Sequence, residues 1–128
     1  MRNFLKYHLP AILYGGLILG LSSLSHLNLP RIRSVQLDKI LHFTEYAIFS
    51  ALVFRSFSHF PRSLSPRLAA LLAFLVRVIF ALVDETYQGF VPGRHRDWSD
   101  FAADLSGAVL ILILLSWRRW KHKEDNAD

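Results

Sequence analysis

Ionisable side chains recur at regular spacing in three stretches that are otherwise apolar. Asp38, His42 and Glu45 stand at i, i+4 and i+7, which on a helix puts them within about 60° of one face. Arg77, Asp84 and Gln88 stand at i, i+7 and i+11, with Glu85 on the flank, and share a face within about 40°. Asp97, Asp100 and Asp104 project from one side of a third stretch. Clustered carboxylates raise one another's proton affinity, so one of them can be held ready as a general acid or base. His42, Glu45, Asp84 and Glu85 are therefore the candidate catalytic groups. His42 is open to three readings: general base, ligand of a hard or borderline metal ion, or hydrogen-bonded packing residue. With Glu45 and Glu85 it is a candidate site for a divalent cation, but one histidine in the cluster gives little support to a usual zinc site, and the residues specify no cofactor. Arg94 and Arg96 suit a bidentate clamp on a phosphate or carboxylate, or the neutralisation of Asp84 or Asp97. No Ser/His/Asp triad, Gly-rich phosphate loop or His-Glu-x-x-His pattern is present. The absence of cysteine excludes disulfides, thiolate nucleophiles and thiolate metal sites.

The elements that carry these groups are read from hydropathy. Four apolar runs, Leu9 to Leu24, Ile40 to Phe54, Leu68 to Val83 and Phe101 to Trp117, come close to the ~20 residues that cross a ~30 Å hydrocarbon layer once a turn is added at either side. A soluble bundle helix needs a polar face, and Leu68-Ala-Ala-Leu-Leu-Ala-Phe-Leu-Val has none. The expectation is an all-α, four-helix transmembrane bundle in a single domain of 128 residues. Its helices fall at about 8–26, 38–56, 66–90 and 99–118, with 119–128 a disordered cytoplasmic tail. Arg2 and Lys6 before the first run also describe a secretory signal; Pro10 and the length of the run favour a retained helix.

Four spans put both termini on one side. That side carries nine basic residues against five opposite, and the Lys/Arg excess marks it as cytoplasmic. The net charge of +5 is thereby assigned to topology, not to nucleic acid. Seven of the ten acids, Asp38, Glu45, Asp84, Glu85, Asp97, Asp100 and Asp104, gather toward the outer ends of helices 2, 3 and 4. Each ionisable group near the bilayer centre costs on the order of 3 kcal/mol, so the three stripes should turn toward one another. The expected result is an outward-facing polar pocket lined by His42, Glu45, Asp84, Glu85, Gln88, Arg94, Asp100 and Asp104. Arg77, about 15 Å along its helix from Arg67, needs a carboxylate, and Glu45 and Asp104 are nearest in depth. Its readings are a structural ion pair or a charge at the floor of the pocket. Gly107 permits close helix contact.

Asp38-Lys39, His42-Phe43 and Glu45-Tyr46, then Asp84-Glu85-x-x-Gln88-x-Phe90-Val91-Pro92-Gly93-Arg94, then Asp100-x-x-x-Asp104-x-x-Gly107 resemble the VanZ-like membrane protein family over roughly residues 35 to 110. Lys39, Gln88, Arg94, Asp100 and Asp104 of these motifs are the candidate substrate contacts. Asp104 stands where the family often has Asn, and Arg77 is not part of the pattern. The resemblance implies a multi-pass protein of the bacterial cytoplasmic (inner) membrane and cell envelope, in a family whose named member is associated with resistance to the antibiotic teicoplanin. Three functions are expected to compete. The first is binding or modification of an anionic envelope lipid or lipid-linked precursor, with an effect on glycopeptide susceptibility. The second is an intramembrane carboxylate- or metal-dependent hydrolase or transferase, and the third a small accessory subunit of a membrane complex. The expected partners are the lipid bilayer, such a lipid, and a second copy or another membrane protein. A transporter would need a second half to rock against.

Overall fold

The computed structural model describes residues 1–23, 35–60, 64–90 and 98–124. Among them are four α-helices and no strand: α1 (Leu9–Ser22), α2 (Val35–Ser58), α3 (Pro66–Gln88) and α4 (Trp98–Glu124). A π-helical turn, Phe4–His8, leads into α1, with the Leu9 N–H donating to Phe4 O. Pro10 has no N–H to offer the carbonyl four residues back, so the wider turn ahead of it gives those carbonyls other donors. At α3, Pro66 occupies the first turn and Ser65 caps it, its Oγ accepting from Leu68 N at 3.2 Å. Proline there gives up a donor that would have had no partner.

α2 and α4 form the most extensive helix pair, and α3 packs on both. Ala69 and Ala73 of α3 are buried in one cluster with Tyr46, Phe49, Val53 and Phe54 of α2 and Leu112 of α4, and Ala81 of α3 and Ala108 of α4 are buried as well. The closest approach is at Gly107, where an added Cβ would lie 2.5 Å from Phe43 O. Only hydrogen fits there, which lets the two backbones meet. α1 lies along the outside of this trio. Gly15 faces the rings of Phe49 and Phe80, themselves 4.7 Å apart. Its ends are tied by His8 Nδ1 to Ser56 Oγ (2.6 Å) and by Ser23 Oγ to Tyr87 OH (3.1 Å).

These ties also fix which ends lie together. Tyr7 stacks on His59 at 3.7 Å, and Arg119 Nη2 donates to Ser58 O at 3.0 Å, so the start of the chain, the end of α2 and the end of α4 share one end. Several expected boundaries change: α1 ends at Ser22 and α2 runs on to Ser58. α2 begins at Val35, three residues before Asp38, and α3 ends at Gln88. The expected disordered tail at 119–128 is corrected by α4, which stays helical to Glu124. Its last turns are held by the Arg119 bond to α2, a tertiary contact that a charge-rich composition does not reveal. Residues 125–128 lie outside the described residues.

The distribution of polarity is inverted relative to a protein in water. Ile79, Leu71, Val83 and Ile113 are more than half exposed, while Arg77, Asp84 and Asp104 are buried. Soluble folds place isolated apolar side chains outside but almost never bury Arg and Asp without cause. Two described stretches, Phe4–Ser22 and Pro66–Tyr87, are long and apolar enough to cross a membrane.

Candidate functional site

The charged core is built from one residue on α2, two on α3 and one on α4. On α3, Ala69, Ala73, Arg77 and Ala81 repeat every four residues and Asp84 follows on the same side, so the face that fits closely against α2 and α4 also carries the charges. Arg77 is mid-helix, about 16 Å from its start, and is 0% exposed. Its Nη2 lies 3.7 Å from Asp104 Oδ2 of α4, a distance over which the attraction is coulombic and not a direct hydrogen bond. Its Cζ sits 4.1 Å from the ring centroid of Tyr46, where the negative face of the ring attracts the cation. The same phenol donates from its OH to Asp84 Oδ2 at 2.9 Å. Tyr46 thus joins the cation on its face to the anion at its edge. Asp84 and Asp104 are 3% and 4% exposed, so the cluster is packed, with no open water around it.

None of the three guanidinium nitrogens has a hydrogen-bond acceptor among the described residues. Burying an arginine in this way is expensive. The Asp104 charge, the Asp84 charge and the face of the Tyr46 ring offset that cost. Serine 50, fully buried one turn along α2 from Tyr46, adds a further polar group to the interior.

Of the residues singled out by spacing, the structure brings Arg77, Asp84 and Asp104 together. Glu45 and Glu85 stand next to Tyr46 and Asp84 in the chain and are half-buried. His42, Asp38 and Lys39 belong to α2, Gln88 to α3 and Asp100 to α4, but their side chains lie outside the described residues, as do Arg94, His95, Arg96 and Asp97 entirely. Among the described residues no three His, Asp or Glu groups gather as metal ligands would. Sequence reasoning missed Tyr46 as a member of the site. An aromatic residue in an apolar helix reads as core, and the available signal was its position beside Glu45 and one turn after His42.

The arrangement is a fixed, rigidly held set of charges where three helices meet. Asp84, oriented by a phenol, and Asp104, oriented by a guanidinium, are held in place; both lie toward the helix ends where Glu45 and Glu85 also sit. An all-helical chain with apolar outer faces and a buried ionic core of this kind belongs to the class of helical proteins suited to a lipid surround. The family model for VanZ/LLP1 matches residues 4–119. The chain belongs to the VanZ/LLP1 family. No curated protein and no solved structure matches it.

Proposed function

We propose that this chain is a four-span protein of the bacterial cytoplasmic membrane, with both termini in the cytoplasm, whose charged niche faces outward and binds an anionic, lipid-linked component of the envelope. The observation that carries the reading is the convergence of Arg77, Asp84 and Asp104 on Tyr46 beneath an apolar exterior. In hydrocarbon, charges are stabilised by facing one another inside a bundle, and leucine and isoleucine side chains contact lipid at no cost. α2 and α4, with 24 and 27 residues, exceed the ~20 needed to span.

Charge supports the orientation. Arg2, Lys6, Arg55, Arg67, Arg118, Arg119 and Lys121 lie at the end shared by the chain start, the end of α2 and the end of α4, whereas Glu45, Asp84, Glu85 and Asp104 lie toward the other end. Lys and Arg favour the cytoplasmic side. The anionic nature of the ligand follows from the arginines. Arg77 is buried beneath the niche and contributes its charge only, and Arg94 and Arg96, which follow α3 in sequence, offer planar forks suited to phosphate. A lipid-borne ligand fits a niche whose walls stand in the bilayer, and holding an envelope precursor gives the family's link to teicoplanin susceptibility a physical route.

Native mass spectrometry of the detergent-purified protein tests this. The expected result is a co-purifying lipid-linked envelope precursor, distinct in mass from the bulk phospholipids, that Arg94→Ala weakens by roughly tenfold or more, as loss of a charge-assisted bond requires. Wild-type protein free of such lipid, or an Arg94→Ala variant that retains it unchanged, contradicts the reading.

A further inference from the structure

A cavity separate from the charged core opens on the α1 side of the bundle. A groove of about 740 Å³ runs between α1 and the α2–α3 face, floored by Gly15, Phe49 and Phe80 and walled by Ile12, Val53 and Val76. Its lining is apolar apart from His8 and Ser56, whose Nδ1 and Oγ meet at 2.6 Å toward one end, flanked there by Phe4 and Phe60. From His8 to Leu19, the deepest α1 residue that lines it, the groove runs about 16 Å. This matches one leaflet of a ~30 Å hydrocarbon layer.

The polar end of the groove carries a cationic collar. Tyr7, next to His8, stacks on His59. Lys6 Nζ and Arg55 Cζ lie 5.1 Å and 5.3 Å from the centroid of the same ring, which gathers both positive charges beside the His8–Ser56 pair. Glu45, Asp84, Glu85 and Asp104 belong to the opposite half of the bundle, and Glu124 closes α4 at the basic end.

We infer that this groove holds one acyl chain of an anionic phospholipid from the leaflet at the basic end, with the phosphate of that lipid seated among Lys6, His8, Ser56 and Arg55. Three features select this occupant. The groove is apolar and one leaflet deep, as an acyl chain requires, and its rim is cationic and carries hydrogen-bonding groups, as a phosphodiester requires. Its opening is on the side of α1, where a lipid enters from the bilayer without passing through the bundle. The site is distinct from the niche around Arg77: it opens on the α1 side of the bundle and shares no residue with Arg77, Tyr46, Asp84 or Asp104.

Gly16 provides a direct test. It lines the groove, yet a Cβ added there meets nothing within 4 Å, so Gly16→Phe fills the groove without displacing a packed neighbour. Gly20 is equally open but is not among the lining residues, and Gly20→Phe is the control. The full-length protein is reconstituted in vesicles of phosphatidylethanolamine and phosphatidylglycerol, extracted, and measured by native mass spectrometry. The expected result is one phosphatidylglycerol retained per chain. Retention should fall roughly tenfold in Gly16→Phe, persist in Gly20→Phe and in Arg94→Ala, and lose its preference for the anionic lipid in Lys6→Ala/Arg55→Ala. A phosphatidylglycerol with a photoreactive acyl chain provides a second readout on the unaltered protein, and should label Ile12, Gly16 or Val76 above the exposed Ile79 and Ile113. Equal retention by Gly16→Phe, a dimer that Gly16→Phe abolishes, or labelling spread evenly over the outer surface would overturn the inference.

Discussion

Arg77 and Asp104 explain one another. Asp104 occupies a position where the motif resemblance leads to Asn, and Arg77 lies outside the motif; in the folded chain Nη2 and Oδ2 of these two residues are 3.7 Å apart. A neutral amide at 104 would remove the anion 3.7 Å from a buried mid-helix arginine, and without Arg77 the buried Asp104 would lose that cation. The two residues therefore act as a single charge exchange. Breaking a buried pair from one side costs about 3–5 kcal/mol, so Arg77→Met and Asp104→Asn should each lower thermal stability in detergent sharply. Arg77→Met/Asp104→Asn together should recover most of that loss, with a coupling on the order of 1–3 kcal/mol. Strictly additive melting shifts would contradict the pairing. The depth of Arg77 and its need for a carboxylate were legible in the sequence, because its distance from Arg67 follows from helical rise. The choice between Glu45 and Asp104 was not, since it depends on how α2 and α4 rotate against α3. The part played by Tyr46 was hidden for a similar reason: its ring serves the charges only because α2 presents it to α3.

At the scale of the elements, the contact between α2 and α4 is set by a missing side chain. Gly107 lets Phe43 O approach to where a Cβ would be 2.5 Å away, and a backbone carbonyl cannot move aside as a side-chain tip can. Gly107→Ala should therefore separate the helices and destabilise the protein by about 1–3 kcal/mol, measured as a lowered melting temperature. The same substitution at Gly20, where nothing lies within 4 Å, should be neutral or slightly stabilising, since alanine favours helix over glycine. A Gly107→Ala variant as stable as Gly20→Ala would show that the backbones do not meet there. The apolar runs made the four helices readable, and Gly107 was readable as a point of close contact. Helix ends were less so. The π turn at Phe4–His8 arises from Pro10 acting on carbonyls upstream of it, and α4 reaches Glu124 because Arg119 bonds to another helix; neither effect is visible in hydropathy.

Over the whole molecule, the chain is organised by charge in two senses. Across the bundle, charged groups lie inside and apolar groups outside, as a lipid surround favours and water does not. Along the bundle, basic residues collect at the end where the chain start meets the ends of α2 and α4, and Glu45, Asp84, Glu85 and Asp104 lie toward the other. Both follow from one constraint, the cost of placing an ionised group in hydrocarbon, and in the orientation proposed above the acidic niche faces outward and the basic rim inward. Because the chain has no cysteine, single thiols can be introduced at Phe60 and Phe90, exposed residues after α2 and α3 respectively, without altering any charge. Labelling intact cells with a membrane-impermeant maleimide tests the arrangement most directly. The account predicts that Phe90→Cys reacts in intact cells and Phe60→Cys reacts only after permeabilisation; the reverse pattern, or equal reaction of both in intact cells, would contradict it.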